Sequence, residues 1–343
     1  MKQHLNTLFV TSQGAYLAKD GEAVAVRIDH ETKLRVPVIN LGGIMCFGHI
    51  SASPALMALC ARSDVAVSFL TEHGRFLARV SGFSPGNVLL RREQYRSADD
   101  PTRCRDIARN IVAAKIANCR TTLLRGARDY PDAPGRQALE EAAARLARYI
   151  SQVRQAANAD QARGIEGDSA ATYFSAFNHL LTTQREPFAF RARSRRPPLD
   201  PINALLSFLY TLLAHDARAA CEACGLDAAV GFLHRDRPGR PGLALDLMEE
   251  FRSYLADRLA LSLINRQQVR PAGFETTESG GVVMDDTTRK TVLTAYQERK
   301  QELLTHPFLG EKTTAGLLVH LQARLLARYL RGDLDAYPPF IWK

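Results

Sequence analysis

The strongest chemical signal in this 343-residue chain comes from three acidic residues and one histidine. Asp246 and Glu249 lie in LALDLMEEFR, and Asp246 follows His234 by twelve positions. Glu166 lies far upstream, in ARGIEGDSA. The apolar spacing of LALDLMEEFRSYLADRL predicts a helix, and a step of three residues then places Asp246 and Glu249 on one face of it.

These side chains together suit a divalent cation. His234 ends a short apolar stretch and precedes a Pro/Gly-rich loop, so its ring could turn back towards the helix of Glu249, and Glu166 would complete the site. Carboxylates and one neutral imidazole, with positions left for water and phosphate oxygens, fit Mg²⁺ or Mn²⁺. Such an ion could activate an attacking oxygen and stabilise charge on a phosphodiester. The alternative is acidic residues that face solvent and a structural histidine.

The net charge favours a polyanionic partner. Lys and Arg total 45 against 36 Asp and Glu, which gives a formal charge of +9. Nucleic acid is the leading candidate. Arginine predominates over lysine and binds phosphate through two parallel hydrogen bonds. The candidate DNA-binding residues are Arg191, Arg193, Arg195 and Arg196 in RARSRRPP, and Arg235, Arg237 and Arg240 beside His234. Ordinary solvated surface charge is the alternative for both groups.

The pattern of the chain changes near residue 90 and predicts an α+β protein of two domains. Residues 1–85 read as short alternating strands with one helix at SPALMALCARSD. Residues 86–100 are predicted to be a linker. Residues 101–343 show a helical period and predict an all-helical catalytic domain.

Several segments of the second domain carry more specific signals. PLDPINALLSFLYTLLAHDARAACEACG predicts a buried helix capped by Asp200 and Pro201. Glu166 is expected in a helix, between Gly164 and Gly167, which would let a phosphate or a backbone approach. PAGFETTESGGVVMDD predicts either a small hairpin or a disordered loop.

Other function classes are disfavoured. No P-loop or GxGxxG motif occurs, which argues against nucleotide hydrolysis and dinucleotide chemistry. No apolar run of about 18 residues occurs either, so we expect no membrane association and a cytoplasmic location.

Four motifs then support a family resemblance. RGIEG around Glu166, PINALLSFLY, GFLH ending in His234, and LALDLMEEFR occur in the order found in the CRISPR-associated integrase family, and the domain plan is also similar. The resemblance implies a DNA endonuclease/integrase of CRISPR adaptation that inserts short foreign DNA (spacers) into the CRISPR array through attack of a 3'-hydroxyl on a phosphodiester. It also implies a homodimer that associates with a second small CRISPR adaptation protein and with double-stranded, branched or 3'-overhanging DNA.

The resemblance further implies roles for individual residues. Glu166, His234 and Glu249 match the metal ligands, and Asp246 matches the additional catalytic acid one turn earlier on the same helix. Glu250 is adjacent and remains an alternative ligand by spacing. We prefer Glu249, which lies three residues from Asp246 and matches the motif.

Two alternative functions remain open. In one, the protein binds DNA without catalysis, and the acidic residues only form ion pairs with arginines. In the other, it is a purely hydrolytic metal-dependent nuclease, in which water replaces the DNA hydroxyl.

Overall fold

The computed structural model describes residues 6–80, 82 and 87–342. The chain divides into two compact units, 1–85 and 86–343. The residues at the division itself, 83–86, lie outside the described residues.

The first unit is built from two four-stranded sheets. One sheet has the order β1-β5-β7-β8, and the other has the order β4-β3-β2-β6. The strands are β1 Asn6–Val10, β2 Tyr16–Asp20, β3 Ala23–Ile28, β4 Glu31–Pro37, β5 Leu41–Phe47, β6 Ser51–Ala52, β7 Ala66–Leu70 and β8 Phe76–Val80. Strands β1, β5 and β7 run parallel, and β7 and β8 form an antiparallel pair. Helix α1, Pro54–Arg62, begins where the sequence predicts it, with Ser53 as its N-cap.

Side chains from both sheets and from α1 share one core. Leu17, Val24, Ile44, Leu56 and Val67 are all fully buried in it. Strands β3, β5 and β7 are largely apolar and buried along most of their length, and they supply much of this core. The prediction of a strand-rich first unit is confirmed.

The second unit is mainly helical. Its helices are α2 Val88–Asp99, α3 Pro101–Asp129, α4 Arg136–Arg154, α5 Ala159–Ser175, α6 Pro201–Ala223, α7 Gly242–Glu249, α8 Arg258–Asn265, α9 Asp286–Gln301 and α10 Leu318–Leu330. Two short antiparallel hairpins interrupt them, β9 Phe274–Thr276 with β10 Val282–Met284, and β11 Leu303–Thr305 with β12 Lys312–Thr314. The first hairpin lies in the segment predicted as a hairpin or a loop. The second was not predicted, because strands of three residues give too little alternation to recognise.

The expected linker at 86–100 is corrected by the structure. Most of it forms helix α2, which belongs to the second unit. Gln94 in the middle of α2 is fully buried, and its amide nitrogen donates to the carbonyl oxygens of Asp227 and Val230 at 2.8 Å each. This segment is polar and therefore resembles a linker in sequence, although the buried side chains of Leu90 and Gln94 tie it into the second unit.

The helix predicted from LALDLMEEFRSYLADRL is interrupted. Helix α7 ends at Glu249, a π-helical segment covers Arg252–Asp257, and α8 follows. Asp246 and Glu249 both lie within α7, so the argument that they share a face holds. Such π-helical turns are frequent at functional sites, because they shift the side chains that follow by one position around the helix axis.

Helix α6 begins with the cap that the sequence predicts. The Asp200 carboxylate accepts a hydrogen bond from the backbone N–H of Asn203 at 2.7 Å, and Pro201 occupies the first turn. Within α6, Leu205 and Leu209 are fully buried, so this helix forms part of the central core of the second unit.

Loss of this cap should destabilise the second unit. We expect Asp200→Ala to lower the free energy of unfolding by about 1 kcal/mol, because the N–H of Asn203 loses its acceptor. Urea unfolding followed by circular dichroism measures the change. Asp200→Ser, which keeps a capping oxygen, should retain most of the stability, and equal losses in both variants would contradict the role of the cap.

Candidate active site

Asp246 folds the GFLH segment back onto helix α7. Its side chain is fully buried, and Oδ2 accepts hydrogen bonds from the backbone N–H groups of Phe232 at 2.5 Å and Leu233 at 2.9 Å. Oδ1 accepts a third from the backbone N–H of His234 at 2.9 Å. A Cβ atom on Gly231 would lie 2.8 Å from Oδ2 of Asp246, so this close approach requires glycine.

The same carboxylate orients the His234 ring. Nδ1 of His234 lies 2.7 Å from Oδ1 of Asp246. A carboxylate has no N–H or O–H group to donate, so the ring nitrogen must be the donor in this contact. We therefore assign the ring proton to Nδ1. Nε2 then presents its lone pair, and it lies 4.0 Å from Oε1 of Glu249. The prediction that His234 turns back towards the helix agrees with this geometry. Histidines that bind a metal usually donate their other ring N–H to a carboxylate in this way.

Glu249 is a buried carboxylate between two cations. Only 2% of its side chain is exposed; Oε1 lies 3.0 Å from the Arg252 guanidinium and Oε2 lies 2.6 Å from Nζ of Lys115. Burial would raise the pKa of Glu249, but the charges of Arg252 and Lys115 outweigh it and lower the pKa to about 2. Glu249 is therefore ionised at neutral pH. Its Oε2 makes no aligned hydrogen bond, so the contact with Lys115 is an ion pair.

Glu166 reaches the same lysine from another helix. It lies in α5, as predicted, and its Oε1 contacts Nζ of Lys115. About a fifth of the Glu166 side chain is exposed. A Cβ atom on Gly164 or on Gly167 would meet no atom within 4 Å, so the helix surface beside Glu166 is open.

Sequence reasoning missed Lys115 and Arg252. Lys115 lies on α3 and is buried, and the opposing charges of Glu249 and Glu166 raise its pKa in spite of its burial. The signal was present in the sequence, since Lys115 is the one charged residue in the run NIVAAKIANC. A lysine in such a run is almost never fully buried without a partner.

Glu250 points to a different environment from Glu249. Its carboxylate accepts hydrogen bonds from the Tyr337 hydroxyl at 2.6 Å, the Phe340 backbone N–H at 2.7 Å and the Gln322 amide at 3.0 Å. Burial raises its pKa to about 8. Of the two neighbouring carboxylates, the structure therefore directs Glu249, and not Glu250, towards His234.

The side chains of Glu166, His234 and Glu249 are of types that bind a divalent cation, but they are not arranged around an empty cation site. Within residues 6–80, 82 and 87–342, no group of three or more His, Cys, Asp or Glu side chains has an arrangement that could hold a metal ion. At this site the ammonium of Lys115 lies between the carboxylates of Glu166 and Glu249. The buried Oε2 without an aligned hydrogen bond and the available Nε2 of His234 are the features that suit a cation.

The arginines of RARSRRPP divide into two groups. Arg191, Arg195 and Arg196 are exposed. Arg193 is turned inward, and its guanidinium donates to Oδ1 of Asn203 at 2.6 Å and to the Ser207 hydroxyl at 3.1 Å. Arg193 therefore supports the start of α6, and the expectation that it binds DNA is not supported by its position.

The arginines beside His234 also differ from one another. Arg235 is exposed and pairs with Asp160 at 2.6 Å, whereas Arg237 is exposed on the loop. Partial burial, with repulsion from Arg237 and Arg195, lowers the pKa of Arg240. Like charges thus accumulate where the RARSRRPP segment approaches the loop after His234, and an anion placed there would relieve the repulsion.

Comparison with known proteins identifies the family of the chain. Residues 8–298 match the family described as CRISPR associated protein Cas1. A relative from Chlorobaculum tepidum, named CRISPR-associated endonuclease Cas1 1, is 55% identical over 343 residues, and the alignment covers all of both chains.

Solved structures share the fold. A casposase bound to integration product has a TM-score of 0.84 at 22% identity, covering 99% of this chain and 95% of that chain. A Cas6-RT-Cas1–Cas2 complex has a TM-score of 0.82 at 24% identity, covering 100% of this chain and 36% of that chain.

The fold and the match along the chain define a CRISPR-associated protein with a strand-rich first unit and a helical second unit. The chain belongs to the Cas1 family. The family resemblance seen in the four sequence motifs is thereby confirmed. Among the described residues, no helix has the length and apolarity needed to cross a membrane.

The role of Asp246 can be tested through stability. We expect Asp246→Asn to lower the free energy of unfolding by about 3 kcal/mol, because an amide nitrogen would face N–H donors that now bind an ionised acceptor. Urea unfolding in the presence of EDTA measures this change without any contribution from metal.

The matched control is Asp335→Asn, which removes an exposed carboxylate. Its unfolding free energy should change by less than about 0.5 kcal/mol. If Asp246→Asn were as stable as this control, Asp246 could not be the anchor of the GFLH segment.

Proposed function

We propose that this protein is a divalent-metal-dependent DNA endonuclease and integrase of CRISPR adaptation, which joins short DNA fragments to a CRISPR array. One observation carries the proposal. Glu166 and Glu249, which lie 83 positions apart in the sequence, contact the same Lys115 nitrogen, and Nε2 of His234 lies 4.0 Å from Glu249. Two of the three proposed ligands therefore meet at Lys115, and the third, His234, lies beside Glu249.

Glu166, His234 and Glu249 would hold the ion, which we propose to be Mg²⁺ or Mn²⁺. Two carboxylates and one imidazole are a donor set that both ions accept. When bound, the ion supplies Lewis-acid stabilisation of a phosphodiester and lowers the pKa of the attacking hydroxyl.

Neighbouring side chains orient His234 and keep Glu249 ionised. Asp246 fixes the ring proton of His234 on Nδ1, so that Nε2 is available as a donor. Arg252 helps to keep Glu249 ionised in a buried environment. Asp246 therefore acts as a positioning residue, because its two oxygens are fully used by the GFLH segment.

We further propose that exposed arginines bind the DNA backbone near the site. Arg195, Arg237 and Arg240 contribute to the like-charged region described above, and the chain has a formal charge of +9. Phosphates would relieve the repulsion among these guanidinium groups.

Two partners follow from the same family relationship. We propose that the protein forms a homodimer and associates with a second small CRISPR adaptation protein. The structural likeness to a Cas6-RT-Cas1–Cas2 complex supports a fold suited to such an assembly.

Strand joining tests the proposed chemistry. A labelled short duplex, a supercoiled CRISPR array, the protein and its small partner are incubated with Mn²⁺, and the joined branched DNA is measured. We expect Glu166→Ala and His234→Ala to reduce that product by at least about 100-fold, because each removes a ligand, while DNA affinity persists. Glu278→Ala, which removes an exposed glutamate, is the matched control.

The same assay separates the alternative functions. A duplex that lacks its 3'-hydroxyl should give no joined product with the unaltered protein. Nicking of the array without joining, from a duplex that retains the hydroxyl, would identify a purely hydrolytic nuclease. Binding without any cleavage or joining would identify a DNA-binding protein.

Salt dependence tests the arginine surface. The logarithm of the DNA association constant should fall linearly with the logarithm of salt concentration, by about 0.9 per phosphate neutralised. We expect Arg195→Gln and Arg237→Gln each to reduce this slope by about 0.9, because each removes one phosphate contact. Fluorescence anisotropy with a labelled duplex at several NaCl concentrations measures the slope.

Arg193→Gln is the matched comparison, because the guanidinium of Arg193 is bound within the protein. Its slope should equal that of the unaltered protein. If Arg195→Gln and Arg237→Gln also kept the slope of the unaltered protein, these arginines would not contact the DNA backbone.

A further inference from the structure

Lys115 stands out among the buried charged groups. Its side chain is 8% exposed, lies on α3 and contacts two carboxylates that come from two other helices. Nζ contacts Oε1 of Glu166 and lies 2.6 Å from Oε2 of Glu249. A single positive charge thus lies between two of the three proposed metal ligands.

We propose that the Lys115 ammonium is a built-in substitute for the metal ion, which holds the carboxylates together in the metal-free protein and is displaced when a divalent cation binds. This inference rests on the metal dependence put forward above. It concerns Lys115, a residue that the family resemblance does not assign to the site.

Electrostatic repulsion is the first reason. Two carboxylates so close to one point repel each other and would separate or take up a proton unless a cation lay between them. Lys115 supplies that cation, and the opposing charges in turn keep it protonated. The proposed ligands are therefore held in place before any metal arrives.

The balance of charge is the second reason. Lys115 and Arg252 offset Glu166 and Glu249, and Asp246 leaves one net negative charge at the site with His234 neutral. A dication added to this group would leave a net positive charge in a largely buried place. Withdrawal of the lysine would restore neutrality, so binding of the metal and departure of the ammonium favour each other.

The geometry of the contacts is the third reason. Oε2 of Glu249 is buried and makes no aligned hydrogen bond, so its contact with Lys115 is mainly electrostatic. Arg252, on the other oxygen of Glu249, is held in the π-helical segment directly after α7. Lysine has a flexible four-carbon stem and can move its charge more easily than arginine can.

Metal binding and metal-free stability test this proposal together. Protein dialysed against EDTA is titrated with Mn²⁺, and free Mn²⁺ is counted by electron paramagnetic resonance. We expect Lys115→Met to bind Mn²⁺ at least about tenfold more tightly, because the competing charge is gone. Its metal-free Tm should fall by about 5–15 °C, because the buried Glu249 and the partly exposed Glu166 lose the cation between them.

Two further variants provide the comparison. Lys290→Met removes an exposed lysine of α9 and should change neither quantity. Lys115→Arg keeps a positive charge and should not show the tighter binding of Lys115→Met. If Lys115→Met fails to fold in EDTA, refolding with Mn²⁺ but not with NaCl of equal ionic strength supports the proposal, and failure of both to restore folding contradicts it.

The remaining outcomes separate this proposal from the proposed function. Mn²⁺ binding by the unaltered protein, with equal or weaker binding by Lys115→Met, would overturn the displacement proposal and leave the metal dependence intact. Absence of Mn²⁺ binding in the unaltered protein and in Lys115→Met alike would overturn both.

Discussion

The negative charge of Glu249 has almost no contact with water, and this constraint organises the helical unit around the site. An ionised carboxylate can be buried only if cations or hydrogen-bond donors compensate it. Arg252 and Lys115 supply this compensation, the first from the segment after α7 and the second from α3. Lys115 in turn contacts Glu166 on α5. Three separate segments of the chain are therefore joined through one buried charge.

The three acidic residues Asp246, Glu249 and Glu250, at α7 and its C-cap, have different roles. The oxygens of Asp246 are fully occupied by four hydrogen bonds from the GFLH segment, which makes it a structural anchor. Glu249 faces His234 and keeps one oxygen without an aligned hydrogen bond. Glu250 binds Tyr337 and Phe340 on the opposite side. Their order in the sequence does not reveal this division, because only the helix direction and the packing around it separate the three side chains.

The charged surface shows a similar division. RARSRRPP looks uniform in sequence, yet Arg193 supports α6, while Arg195 is exposed and its charge helps to lower the pKa of Arg240. A stretch of arginines thus combines structural and exposed members. The exposed ones lie close enough to repel one another, and this feature gives the nucleic-acid proposal a physical basis beyond net charge.

The sequence alone determined the strand-rich and helical halves and the cap at Asp200, and it selected Glu166, His234, Asp246 and Glu249 as candidates. Hydrophobic periodicity and local capping depend on neighbours in the chain and can therefore be read from it. It also indicated that Asp246 and Glu249 share a helix face. The sequence missed helix α2, the interruption after Glu249 and the second hairpin, each of which depends on distant contacts or on segments too short to show a period.

Only the tertiary structure decided how the selected residues meet. The ammonium of Lys115 between Glu166 and Glu249 involves three helices, and no spacing rule connects them. The choice of Glu249 over Glu250 as the residue that faces His234 also came from packing. Adjacent positions on a helix point about 100° apart, both carboxylates are buried, and the surrounding elements fix which of them lies beside His234. Local sequence patterns identify which residues are candidates for the site. The fold determines which of their charges lie close enough to compensate one another.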